Sequence, residues 1–279
     1  MWEQNLIETS RGVFEYFKKG SGEPLCVTHH YSEFNEKGNT LAAPFTEYYT
    51  VYLVNLRGCG QSVKAEHEWQ FTMEETVKDL EAIREALGYE KWAFAGNSTG
   101  GMLALKYAIM AEEHLTKIIA GGLSASNEYM NHPDSIYCKD NPNNARVLEI
   151  LKLLEDPNTP KEKRQALGRE WGMMSVYNKD RYDEFMNRPN SGRTVGPRLN
   201  YFAYKEVNDF DLRPDLHKVR IPAFIFSGLH DAQCPHVFSK EVADLMPNAT
   251  LTTFNYSNHF PFVEEEEAFK EFVKKTVNH

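Results

Sequence analysis

The chain predicts an α/β fold: a mostly parallel central sheet flanked by helices on both faces, with a helical insertion. Three observations carry this expectation. Short apolar runs alternate with amphipathic helical runs, the pattern of a sheet buried on both sides. One such run, Lys91-Trp92-Ala93-Phe94-Ala95, ends in Gly96-Asn97-Ser98-Thr99-Gly100-Gly101 and leads straight into Met102-Leu103-Ala104-Leu105-Lys106-Tyr107-Ala108. Strand, G-x-S-x-G turn and helix in immediate succession place a serine at the tip of a parallel strand. The alternation then lapses over residues 124–212, which are polar, proline-punctuated and without strand-like runs.

The elements follow in order. Residues 6–9 and 13–17 alternate apolar and polar around Ser10-Arg11-Gly12, a hairpin signal. Buried strands are expected at 25–28, 50–55, 92–95, 117–120, 223–227 and 249–254. The helix at 72–87 opens on Thr72 as a cap, with Glu75 three residues on. Its stripe is Val77, Leu80, Ile83 and Leu87, and Gly88 stops it. Helices at 102–110, 238–246 and 264–277 complete the set. Glu264-Glu265-Glu266-Glu267 suits the N-terminus of the last one. Inside the insertion, 145–154, 161–173 and 198–204 read as helices, broken at Asn141-Pro142, Asp156-Pro157 and Arg188-Pro189. Its aromatics, Trp171, Tyr177, Tyr182, Phe185, Tyr201, Phe202 and Tyr204, serve either as core or as pocket wall. The predicted organisation is a body of 1–123 and 213–279 with a helical lid of 124–212.

Composition narrows the partners. At 279 residues, 41% hydrophobic and 25% charged, the chain is long enough for one large domain and ordinary for a globular one. A net charge of −9 argues against nucleic acid and against an anionic membrane surface, both of which need a basic footprint. No apolar run is long enough to span a bilayer, and Met1-Trp2-Glu3-Gln4-Asn5 is not a basic-then-apolar leader. Cys26, Cys59, Cys138 and Cys234 are widely spaced and form no metal or redox pair. A cytoplasmic protein acting on a small molecule or short peptide is expected, with no metal or organic cofactor.

The serine needs partners. A hydroxyl is a poor nucleophile until a base removes its proton, and a neutral imidazole oriented by a carboxylate is the usual base. Ala223-Phe224-Ile225-Phe226-Ser227 is followed by Gly228-Leu229-His230-Asp231, which puts Asp231 at a strand's C-terminal end. The strand at 249–254 is followed by Asn255-Tyr256-Ser257-Asn258-His259, which puts His259 on the next such loop. Ser98, Asp231 and His259 are therefore the candidate nucleophile, acid and base. Asp209, Asp211 and Asp215 are runner-up acids, and His230 and His236 runner-up bases. Donors for a developing oxyanion are expected from the Thr99 N–H and from the loop after residues 25–28, which reads His29-His30-Tyr31-Ser32.

At this loop the chain resembles the α/β-hydrolase family, whose loop runs His-Gly and then a residue that donates its N–H. The resemblance implies the α/β-hydrolase fold and Tyr31 as the second donor, with His30 standing where glycine is usual. His30 is left as a substrate contact or a bulky loop residue, and Asn97 as a substrate-binding candidate. Asn55-Leu56-Arg57-Gly58-Cys59-Gly60-Gln61-Ser62 resembles the family's Asp-x-Arg-Gly-x-Gly-x-Ser turn, with Asn55 in place of aspartate and Arg57 tying loops together. Gly228-Leu229-His230-Asp231-Ala232-Gln233-Cys234-Pro235 and His259-Phe260-Pro261-Phe262-Val263-Glu264-Glu265 resemble the proline iminopeptidase branch. The G-x-S-x-G turn resembles the meta-cleavage product hydrolases, which cut carbon–carbon bonds. The first branch implies a carboxylate for a substrate amine, with Glu170, Glu206 and Asp209 as candidates. The second implies an anchor for an acidic substrate, with Arg169, Arg193 and Arg198 as candidates. An esterase or lactonase needs neither, and a ligand-binding protein of the same fold is the alternative outside catalysis.

Overall fold

A computed structural model describes residues 1–156 and 158–277. Its strands are β1 (Glu3–Thr9), β2 (Gly12–Lys19), β3 (Glu23–Val27), β4 (Ser32–Glu33), β5 (Tyr49–Val54), β6 (Trp92–Asn97), β7 (Leu115–Gly121), β8 (Arg193–Thr194), β9 (Ala223–Gly228) and β10 (Ala249–Phe254). Its α-helices are α1 (Met73–Ala86), α2 (Thr99–Ala111), α3 (Asn144–Glu155), α4 (Lys161–Met173), α5 (Tyr182–Met186), α6 (Gly196–Tyr204), α7 (Arg213–Leu216), α8 (His236–Leu245), α9 (Pro261–Glu264) and α10 (Glu266–Lys275). Pro157, expected to break the helices around it, lies outside the described residues, as do 278 and 279.

Among the described residues one eight-stranded sheet runs β1-β2-β5-β3-β6-β7-β9-β10. The hairpin β1–β2 and the β2–β5 pair are antiparallel, and every other pairing within this sheet is parallel. Side chains alternate between the two faces, as the strand period requires. From β5, Tyr52 and Val54 join one core and Val51 and Leu53 the other. From β6, Trp92 and Phe94 go one way and Ala93 and Ala95 the opposite way. The first core takes apolar residues of α1, α2 and α8, and the second takes Phe269, Phe272 and Val273 of α10. This is the doubly covered sheet that the apolar runs predicted. Among the described residues no helix is long and apolar enough to cross a membrane.

Local chemistry explains the boundaries. Thr72 Oγ1 accepts from Glu75 N at 3.1 Å and caps α1, worth about 1 kcal/mol. Glu75 does not reach back to complete a capping box; its carboxylate instead binds Arg11 and Lys78. Arg57 ties loops together as expected, through Asp79 at 2.8 and 2.9 Å and the Arg11 carbonyl at 3.0 Å. Asn55 receives Phe34 N and donates to Glu15 and the Phe34 carbonyl, so the amide is paired at both ends.

The last expected helix is two helices. The backbone breaks at Glu265 (φ −121°, ψ 54°) between α9 and α10. The Glu264 carboxylate folds back onto Tyr177 N (2.6 Å) and Asn258 N (2.8 Å), and that of Glu265 onto Tyr256 N and Ser257 Oγ. Half of the glutamate run therefore braces the preceding loop rather than a helix end.

Between β7 and β9 the chain departs from the sheet. Its two ends run side by side: Leu212 N donates to Ala125 O at 2.7 Å, and Ser126 bridges Asp211. The short strand β8, missed in the sequence, pairs with β4 in the register Ser32↔Thr194 and Glu33↔Arg193. Two-residue strands leave no alternation to read.

Candidate active site

Ser98 sits on the turn between β6 and α2 with φ 57° and ψ −128°, the only positive φ on a non-glycine among the described residues. Such a conformation costs about 1–3 kcal/mol and persists only where its surroundings impose it. Here Ser98 N donates to Gly121 O of β7 at 2.8 Å, and Ser98 O accepts from Met102 N at 3.0 Å. The flanking glycines are required by contact. A Cβ on Gly96 would lie 2.3 Å from the Gly100 backbone, and one on Gly100 would lie 2.6 Å from Thr28 O.

Asp231 and His259 meet as a pair. His259 Nδ1 lies 2.8 Å from Asp231 Oδ2 and 3.0 Å from Oδ1, and both residues are buried. A carboxylate only accepts, so the imidazole carries its proton on Nδ1 and keeps the Nε2 lone pair free. Asp231 Oδ1 also takes Gln233 N and Cys234 N, both at 2.9 Å. The His259 backbone is held by Ser175 O at 3.2 Å and by Asn97 Nδ2 at 3.3 Å. Gly122 (φ 53°), not singled out in the sequence, is where these groups converge. A Cβ there would meet Asn97 Oδ1 at 2.8 Å, His259 Cε1 at 3.1 Å and Asp231 Oδ2 at 3.2 Å. Glu264 braces the same loop, and its burial raises the carboxyl to about 7.

The loop after β3 is ordered by His29. Its Nδ1 accepts from Ser32 Oγ (2.9 Å) and, weakly, from Tyr31 N (3.4 Å), so Nε2–H donates to Thr99 Oγ1 at 3.1 Å. Burial lowers His29 to about 3, so the ring is neutral. Burial lifts the Tyr31 phenol to about 12.

Two chambers open beside Ser98, of about 280 Å³ and about 230 Å³. Ser98, Tyr31, Trp171 and Gln233 border both and form the waist between them. The first adds Asn97, His259, Ser191, Thr194 and Phe260, and the second Met102, Tyr129, Leu151, Leu199 and Phe202. Among the described residues no aspartate, glutamate, lysine or arginine lines either chamber. Two enclosed polar atoms here lack a partner, Asn97 Oδ1 and Trp171 Nε1. Of the insertion's aromatics, Tyr129, Tyr137, Trp171, Phe185, Phe202 and Tyr204 border the chambers, whereas Tyr177 stacks on His230 outside them.

Several expected residues are not at the chambers. His30, expected as a substrate contact or a loop residue, is fully buried against Arg198, Glu206 and Phe202 and borders neither chamber. Glu170 pairs with Arg146, and Glu206 receives Met73 N. Arg169 pairs with Asp183 and Arg193 with Glu33, while Arg198 is buried. The runner-up acids Asp211 and Asp215 pair with Arg213 and Lys218, and the runner-up base His236 meets Thr253.

This sheet order and this serine turn define a hydrolase fold, and the profile of the alpha/beta hydrolase fold family matches residues 28–266. The chain belongs to that family and is a hydrolase. It is similar to an alpha/beta fold family hydrolase from Bacillus anthracis str. Sterne, 57% identical, with a TM-score of 0.98 and 99% of each chain covered. A proline iminopeptidase of Clostridioides difficile (strain 630) is 27% identical over 79% of this chain and 78% of that protein. An esterase from Exiguobacterium antarcticum shares the fold at 22% identity, with a TM-score of 0.73 and 99% of each chain covered.

Proposed function

We propose that the protein is a serine hydrolase acting on small uncharged esters through an acyl-enzyme. The observation that carries this is the pair of chambers meeting at Ser98, whose walls hold no aspartate, glutamate, lysine or arginine among the described residues. His259 Nε2 takes the Ser98 proton as Oγ attacks the carbonyl, and Asp231 holds the imidazolium that forms. The Thr99 and Tyr31 N–H groups receive the oxyanion. The imidazolium then protonates the leaving alcohol, and His259 activates the water that frees the acid. One chamber takes the acyl chain and the other the alcohol. Residues 124–212 act as a lid over the body formed by 1–123 and 213–279. Four free, buried cysteines support a reducing, cytoplasmic setting.

A proline iminopeptidase is the second reading, favoured by the curated relatives. It needs a carboxylate for the substrate's ammonium, and Glu170, Glu206 and Asp209 border neither chamber. A meta-cleavage hydrolase needs a cation for its acidic substrate, and Arg169, Arg193 and Arg198 are likewise elsewhere.

Matched nitrophenyl esters test the preference, with a neutral 5,5-dimethylhexanoyl and a cationic 4-(trimethylammonio)butanoyl group on the same leaving group. An unpaired buried charge costs about 3–5 kcal/mol. The neutral ester is expected to have a kcat/KM higher by about two orders of magnitude. Equal values, or faster turnover of the cationic ester or of a prolyl arylamide, overturn the uncharged-substrate reading.

A further inference from the structure

Among the described residues Arg198 is the most deeply buried charge in the insertion, with no measurable exposure. It lies on α6, yet its guanidinium is spent on three distant segments. Nε donates to the His30 carbonyl, Nη1 to the Arg57 carbonyl at 3.1 Å, and Nη2 to Thr76 Oγ1 at 2.8 Å and His30 Nδ1 at 3.3 Å. The Phe71 ring lies under it at 5.5 Å. A guanidinium can only donate, so His30 accepts at Nδ1 and keeps its proton on Nε2, which faces Glu206 Oε2 at 3.4 Å. Burial lowers His30, in keeping with a neutral ring.

The His30 carbonyl belongs to the same peptide unit as the Tyr31 N–H. That unit is planar and trans, so its C=O and N–H point in opposite directions. Fixing the oxygen fixes the line of the N–H, which at rest makes a long 3.4 Å contact with His29 Nδ1, a weak acceptor that a charged oxyanion would displace. A charged donor on the oxygen also polarises the unit and strengthens the N–H as a donor. The next peptide is held from the insertion too, because Val195 N donates to Tyr31 O at 2.8 Å. Both carbonyls flanking the Tyr31 N–H are therefore gripped by residues of the insertion, Arg198 and Val195.

We propose that Arg198 is a positioning residue for the oxyanion donor: through the His30 carbonyl it aims and polarises the Tyr31 N–H, so that seating of the insertion completes the site. The inference rests on the serine hydrolase reading and on Tyr31 as the second donor. It also gives His30 a role. An imidazole in the place of glycine supplies an acceptor that keeps the guanidinium against this peptide.

Arg198→Lys and Arg198→Met separate this role from a general packing role. Losing a whole oxyanion donor costs about 10²–10³ in rate, so loss of its support is expected to lower kcat about tenfold or more. KM for a nitrophenyl ester should stay within about twofold. A boronic acid, which forms a tetrahedral adduct on Ser98, should bind more weakly by the same factor as kcat falls. Lysine, keeping the charge without the fork, should recover part of the loss. Folded variants with unchanged kcat and boronate affinity overturn the inference, as does a loss confined to KM. If both variants fail to fold, Thr76→Val removes one anchor of the guanidinium. It should then show a smaller parallel loss of about threefold, and parity with wild type overturns the inference. Wild type is assayed first. If it neither cleaves the ester nor binds the boronate, the serine hydrolase reading itself falls, whereas an active wild type matched by its variants sinks only the role of Arg198.

Discussion

Ser98→Ala is expected to lower ester hydrolysis by about 10⁴-fold or more while the protein stays folded. The loss is chemical because the Ser98 side chain makes no capping hydrogen bond to α2. The contacts that hold the strained turn, Ser98 N to Gly121 O and Met102 N to Ser98 O, are backbone contacts that alanine retains. Alanine also tolerates the same φ no worse than serine, so the melting temperature should move little. Steady-state rates on a nitrophenyl ester, beside a thermal melt, check both halves. A variant with most of its activity would require another nucleophile.

Asp231→Asn is expected to lower kcat by about 10³–10⁴-fold with little change in KM. Its cause is a forced tautomer. Gln233 N and Cys234 N both donate to Asp231 Oδ1, so an asparagine must leave its carbonyl oxygen there. The amide NH₂ then faces His259 Nδ1, which becomes the acceptor. The imidazole proton moves to Nε2, the nitrogen that must take the serine proton, and the base is lost. Volume and backbone contacts are preserved, so stability should change far less than rate. A kcat within about tenfold of wild type would mean that Asp231 does not orient His259.

Much of this was readable because it depends on local spacing. The G-x-S-x-G turn needs glycines where the strand, the helix and the loop after β3 approach, and Gly96 and Gly100 meet backbone at those points. Asp231 and His259 each follow an apolar run by a few residues, so parallel pairing of β9 with β7 and β10 brings them to one edge of the sheet. What was not readable depends on contacts between distant segments. Nothing in His29-His30-Tyr31 announces that His30 is sealed beneath Arg198, 168 residues on. Nothing in four consecutive glutamates says that Glu264 leaves the helix face to brace Asn258 and Tyr177. Part of the chamber wall comes from α4 to α6, whose aromatics have the same helical spacing whether they face the core or the substrate.

The most direct measurement is mass spectrometry of the protein after reaction with a fluorophosphonate, which reacts with a serine only when a neighbouring base activates it. A single covalent adduct on the peptide carrying Ser98, abolished in Ser98→Ala and strongly slowed in Asp231→Asn, is the predicted result. An unmodified Ser98 in folded protein, or an adduct on another residue, would contradict Ser98, His259 and Asp231 as the working triad.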